Sequence, residues 1–171
     1  LYFRDENLLI TRNNKEIFNS DDVKNLVKLE VTGIDEPKFN IMKPDVKQHI
    51  DRDYTYDIIP EELLHGYLFQ NIHRTETGTS FNFELFSESN VYFIFHKDWD
   101  GGYNEIFPKL DGWKLCEEAP QYDVIRTIHE DPNHGKGLVM YKNELKPGTY
   151  QIPETQGDDW SCISLVFKKK V

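Results

Sequence analysis

Residues Val91 to Phe95 read Val-Tyr-Phe-Ile-Phe, and no other stretch restricts the fold so strongly. Successive side chains of a strand point to opposite faces, so an unbroken run of β-branched and aromatic residues puts apolar groups on both. This is too dense for a strand with one wet face. The chain then passes directly into a long connection, His96 to Trp113, rich in Asp, Gly, Tyr and Trp. A rigid sheet holding out an irregular loop is the arrangement in which binding residues are commonly found.

The rest of the pattern is β throughout. Asn7 to Phe18 places an Asn-Asn-Lys turn between two short apolar runs and reads as a hairpin. Ser20, as an N-cap before Val23, Leu26 and Val27, predicts one or two helical turns. Val27, Leu29 and Val31 then alternate with Lys28 and Glu30 as a half-buried strand, and Gly33, Pro37 and Pro44 break the chain up to residue 50 around a short strand at Phe39 to Met42. Further strands are expected at Asp53–Ile59, Tyr67–Asn71, Ser80–Phe86, Asn90–His96, Trp113–Cys116, Val124–His129, Leu138–Tyr141, Gly148–Ile152 and Cys162–Lys168. Phe81, Phe83 and Leu85 against Asn82 and Glu84 give a clean two-residue period. Pro60 to Leu64, with Pro at the start and two Glu in the first turn, suits a single helical turn.

Short strands without intervening amphipathic helices predict an all-β antiparallel sandwich or jelly roll. The 171 residues suit one domain, with 1–47 as an N-terminal wrapping segment and hairpin and 48–171 as the sandwich core. Hydrophobic residues make up 38% of the chain, and the eleven Phe and nine Tyr must supply much of the packing.

With 30 acidic against 20 basic residues the net charge is -10, which opposes a phosphate backbone or an anionic bilayer. Nucleic acid and membrane insertion are therefore poor expectations. The longest apolar run is far short of the roughly 20 residues that span a bilayer. The chain starts without Met or a charged-then-apolar leader, and so reads as a piece of a larger protein, with a lean toward a secreted or cell-surface location.

Catalytic signatures are lacking. The six His residues show no His-Glu-x-x-His spacing, and there is no Gly-x-Ser-x-Gly or phosphate-binding loop. The His129–His134 segment, His-Glu-Asp-Pro-Asn-His, has chelating groups but reads more simply as a polar turn around Pro132. Cys116 and Cys162 lack the paired spacing of a zinc site. They are either bridged or two free thiols, and spacing alone leaves both open.

Several segments taken in order carry a resemblance. Asp51-Arg-Asp-Tyr-Thr-Tyr-Asp-Ile-Ile-Pro-Glu-Glu-Leu-Leu-His-Gly-Tyr-Leu-Phe-Gln-Asn71 pairs an aromatic strand after Asp-Arg with a short leucine turn. Asn90 to Trp99, the loop ending at Trp113, and Met140-Tyr-Lys-Asn-Glu-Leu-Lys-Pro-Gly-Thr-Tyr-Gln-Ile152 follow it. Together, over residues 48–168, they resemble a β-sandwich module appended to secreted bacterial polysaccharide-degrading enzymes and other bacterial surface proteins. That resemblance implies an accessory, non-catalytic module. The departures are the Pro-x-Trp-Leu turn, which stands here as Pro108 to Trp113, and Pro153-Glu154-Thr155 where the family often has Gly-Gly-Asn.

Trp99 and Tyr103 in the long loop and Trp160 in a second acidic loop are the candidate stacking platforms, because aromatic rings offer large area at low entropy cost. Trp99 stands between Asp98 and Asp100, whose carboxylates suit hydroxyl hydrogen bonds. Trp113 is more simply a core plug. Asp98, Asp100, Asn104 and Glu105 also form an oxygen-rich set that a structural Ca²⁺ would accept, but the twelve-residue calcium spacing is missing. No other cofactor is expected. The reading is a glycan-recognition module using the loops at 97–112 and 153–161. The alternative is a protein-interaction or structural domain whose acidic surface docks a basic partner.

Overall fold

The computed structural model describes residues 18–123, 136–157 and 161–171. Asn19 sets the first boundary: its side chain accepts from the Asp21 N–H at 2.9 Å and caps α1 (Ser20–Leu26). The helix starts at the expected place, with the cap one residue earlier than Ser20. Val23 and Leu26 turn inward before the chain extends as β1 (Val27–Val31), whose inner residues Val27, Leu29 and Val31 are buried while Lys28 and Glu30 are exposed.

The strands that follow are β2 (Lys38–Ile41), β3 (Tyr56–Ile58), β4 (Tyr67–Gln70), β5 (Phe81–Leu85) and β6 (Ser89–His96). After them come β7 (Lys114–Leu115), β8 (Gln121–Tyr122), β9 (Leu138–Leu145), β10 (Gly148–Ile152) and β11 (Ile163–Lys169). A 3₁₀ turn at Glu61–Leu63 follows Pro60, where the helical turn is expected. Two elements are not legible in the sequence: a single α-turn, α2 (Tyr103–Ile106), and a 3₁₀ turn at Phe107–Lys109, both inside the long connection. The hairpin expected at residues 7–18 lies, but for Phe18, outside the described residues, and the strand expected at 124–129 lies outside them altogether.

All pairings of the named strands are antiparallel. One sheet has three strands in the order β1-β5-β10, the other six in the order β2-β4-β11-β6-β9-β7, and β3 pairs with β8 as a small third layer. Thus the segment before residue 48 supplies one edge strand to each large sheet. The register of β5, with Phe83 opposite Leu29 on one side and Tyr150 on the other, faces Phe81, Phe83 and Leu85 inward as the alternation requires.

The six-stranded sheet is covered on both faces, which explains the Val91–Phe95 run. Val91, Phe93 and Phe95 join Phe69, Leu165, Phe167 and the three-stranded sheet in one core. Tyr92 and Ile94 point the other way, into a second core with Leu68, Met140, Val166, Met42, Val46, Tyr56, Leu63 and Tyr122. The first core is held by rings: Phe93 meets Tyr103 and Phe107 with centroids 4.8 Å apart in each case, and Phe107 meets Trp113 edge-on at 5.3 Å. Trp113 accordingly plugs the core edge. Cys116 and Cys162 are both free thiols.

Candidate functional site

At the end of β6 the chain turns sharply. The Trp99 N–H donates to the His96 carbonyl (3.2 Å), and the Asp98 N–H donates to His96 Nδ1 (3.1 Å). This turn lays the Trp99 indole against the His96 ring, with centroids 4.4 Å apart. The segment before β11 clamps it from the other side: the Cys162 N–H donates to the Trp99 carbonyl (3.0 Å), and the His96 N–H to the Cys162 carbonyl (3.1 Å). Trp99 is thereby fixed while its side chain stays 40% exposed. An anchored, half-exposed indole is a low-entropy contact surface.

Two glycines then reverse the chain. Gly101 and Gly102 have φ of +63° and +88°, a region that L side chains enter only with strain. A Cβ on Gly101 would lie 2.6 Å from Ser161 Oγ, so the 97–102 connection approaches the 155–161 connection more closely than any other residue permits. The Gln156 N–H seals the approach by donating to the Gly101 carbonyl at 2.7 Å. The two connections expected to share a site therefore meet, and a hollow between them is lined by Asp98, Trp99, Asp100, Asn104, Gln156 and Ser161 among others.

Tyr103 is a correction. The glycine reversal folds it inward: the ring is fully buried against Phe93 and Phe107, and its hydroxyl donates to the Pro153 carbonyl at 2.7 Å. It props the loop and offers no face to a ligand. Asp100 is partly committed to the loop as well, since its Oδ2 accepts from the Asn104 N–H at 2.9 Å. Among the described residues, Asp98, Asp100 and Glu105 do not gather into a ligand set for a cation. Trp160, and the turn at His129 to His134, lie outside the described residues.

On the other side of Trp99 opens a cavity of about 220 Å³ that local sequence patterns do not reveal. Its lining comes from five separate stretches of chain: Gln48, His49, Arg52 and Tyr54; His73 and Arg74; His96 and Trp99; Tyr122; and Cys162. Among the described residues this lining holds two Arg and three His, and the Asp51 carboxylate stands beside it, accepting from the His73 N–H at 2.8 Å and lying 3.4 Å from Arg52. The described lining is thus rich in Arg and His side chains.

Asn71 organises its floor. The Asn71 side-chain amide donates to Thr75 Oγ1 (3.0 Å) and the Ile163 carbonyl (3.3 Å), while its backbone carbonyl accepts from the Ile50 N–H (3.1 Å). His49 Nδ1 also meets that carbonyl, at 3.2 Å, which assigns the proton to Nδ1 in the neutral ring. Burial, reinforced by the neighbouring His73, lowers the His49 pKa to about 3, and burial lowers that of His73 too. The Cys162 thiol is pushed up to about 12 by burial, with Arg74 and Arg52 pulling the other way. Near neutral pH the two imidazoles favour the uncharged form, and the charge around them comes from Arg52, Arg74 and the Asp51 carboxylate paired with Arg52. Arg52 is oriented by its bond to the Asp51 carbonyl at 2.8 Å.

No family model matches the chain, and no curated protein does either. Among solved structures, a β-glucuronidase from glycoside hydrolase family 2 superposes with a TM-score of 0.61 at 12% identity, over 86% of this chain and 15% of that one. The likeness is one of fold, an all-β sandwich, and this chain corresponds to a small part of the neighbour's length.

Proposed function

We propose that this sandwich is a non-catalytic recognition module that binds carbohydrate at the rim around Trp99. The observation that carries the reading is the setting of Trp99, a clamped and half-exposed indole standing between two hollows. Sugar rings present apolar C–H faces and a periphery of hydroxyls. They are met by one aromatic face and a few fixed polar groups. Trp99 supplies the face. Asp98, with Asp100 and Asn104 beside it, supplies acceptors and donors on one side, and Arg52, Arg74 and Gln48 supply donors on the other.

Recognition fits better than hydrolysis. Glycoside hydrolysis uses a pair of carboxyl groups flanking the scissile bond, whereas the described carboxylates at the rim, Asp98, Asp100 and Glu105, all line the one hollow, and Asp100 is held by the Asn104 N–H. The sandwich fold shared with one part of a much longer glycoside hydrolase is in keeping with an accessory role in a larger chain. A glycan array probed with the folded protein and with Trp99→Ala tests the proposal. Selective binding lost in the variant supports it, and no glycan bound by the folded wild type refutes it.

A further inference from the structure

The floor of the Arg- and His-lined cavity holds three groups with metal-binding chemistry that the sugar reading does not use. The ligand atoms of His49, His73 and Cys162 all lie within 4.8 Å of one another. Two observations independent of that distance point to a ligand. His49 is completely buried, its Nδ1 is committed to the Asn71 carbonyl, and its Nε2 has no hydrogen-bond partner among the described residues. His73 Nδ1 is likewise buried and, among the described residues, without a partner. Buried polar nitrogens are rarely left so, because each costs about 1–3 kcal/mol. The His49–Asn71 bond is also the outer-sphere contact that fixes the tautomer of a metal-ligating imidazole.

We propose that His49 Nε2, His73 Nδ1 and the Cys162 thiolate form a binding site for a soft transition-metal ion of the Zn²⁺ class, with a fourth position open to the cavity. Imidazole and thiolate are the donors that such ions prefer. The fit requires a small contraction. Three atoms at the 4.8 Å limit sit about 2.8 Å from their centre, against about 2.1 Å for a Zn–N and about 2.3 Å for a Zn–S bond. With a fourth ligand the ion sits out of the plane of the three atoms, so at that limit each side chain moves by about 0.6–0.8 Å. Both imidazoles already favour the neutral, ligating form, whereas burial holds Cys162 as the thiol despite Arg74 and Arg52, so the metal itself must displace the thiol proton, which leaves to solvent as the metal binds. The site leaves one net positive charge with a divalent ion, and the fourth position, open to the cavity, would take water, hydroxide or a small anion.

The full chain, reduced with a phosphine and stripped with a chelator, is titrated with Co²⁺ and then with Zn²⁺. The expected result is saturation at one equivalent, with a thiolate charge-transfer band in the near ultraviolet, visible four-coordinate bands, and displacement by Zn²⁺. Cys162→Ser should abolish the charge-transfer band and weaken binding at least about tenfold, His73→Gln should weaken it similarly, and Cys116→Ser should change neither. Should Cys162→Ser not fold, protection of Cys162 from alkylation by Zn²⁺ in the wild type supplies the same information. Absence of a thiolate band in folded protein at excess Co²⁺, a band that follows Cys116, or binding indifferent to His73→Gln overturns the proposal. None of these results bears on glycan binding at Trp99.

Discussion

Replacing Gly101 by Ala tests how tightly the two rim connections must meet. The backbone at Gly101 lies at φ +63°, and placing an L side chain there costs about 1–2 kcal/mol. The added Cβ would also lie 2.6 Å from Ser161 Oγ and 3.1 Å from both Ser161 Cβ and Thr155 Cγ2. Ser161 and Thr155 are buried, so neither can swing away freely, and overpacking of this kind costs about 1–3 kcal/mol more. The sum is about 2–5 kcal/mol. Gly33→Ala is the matched control, because its φ is +81° and a Cβ there would meet nothing within 4 Å. It should lose the conformational part alone, about 1–2 kcal/mol. Urea denaturation of both variants measures the difference, and a glycan that binds the wild type should bind Gly101→Ala more weakly, because the displaced Ser161 adjoins Cys162, whose N–H holds the Trp99 carbonyl. Equal destabilisation of the two variants would refute the close approach of the connections.

Tyr103→Phe removes a hydroxyl from a buried site and leaves the Pro153 carbonyl without its 2.7 Å donor, so denaturation should show a loss of about 1–3 kcal/mol. Covering of both faces of the six-stranded sheet is checked by a pair of truncations. Phe93→Ala in the first core should cost about 3–5 kcal/mol and Ile94→Ala in the second about 2–5 kcal/mol, whereas a solvent-facing Ile94 would cost about 0.5 kcal/mol or less. Burial, assisted by Glu62, pushes the Cys116 thiol up to about 11. Iodoacetamide labelling of Cys116 at pH 8 should therefore be slow, and should rise about tenfold per pH unit until pH approaches that value.

The sandwich was legible where one residue pattern had one physical outcome. Phe81, Phe83 and Leu85 could face a core only as a two-residue period, and Val91 to Phe95 demanded cover on both sides, which the three-stranded sheet and the β3–β8 layer provide. Trp99 between two aspartates was legible as a surface residue. Tyr103 was not legible as a buried one, because its fate depends on the Gly101–Gly102 reversal just beyond the end of β6 and on a carbonyl at Pro153. The cavity was invisible for a related reason. His49, His73 and Cys162 stand in three separate connections, and the pairing of β4 with β11, together with the bridge of His49 to Asn71, brings them together. Metal-ligand spacing along a chain reports local sites and is silent about assembled ones.

The central claim is that the clamped indole of Trp99 is the surface a sugar ring covers. Its most direct test is the fluorescence of a protein carrying Trp113→Phe and Trp160→Phe, in which Trp99 is the sole tryptophan, titrated with the saccharides that the array selects. Stacking predicts a blue-shifted emission and protection from acrylamide quenching, both saturating with the binding curve. Emission and quenching that stay unchanged while saccharide binds, or across a broad oligosaccharide panel when none binds, would contradict it.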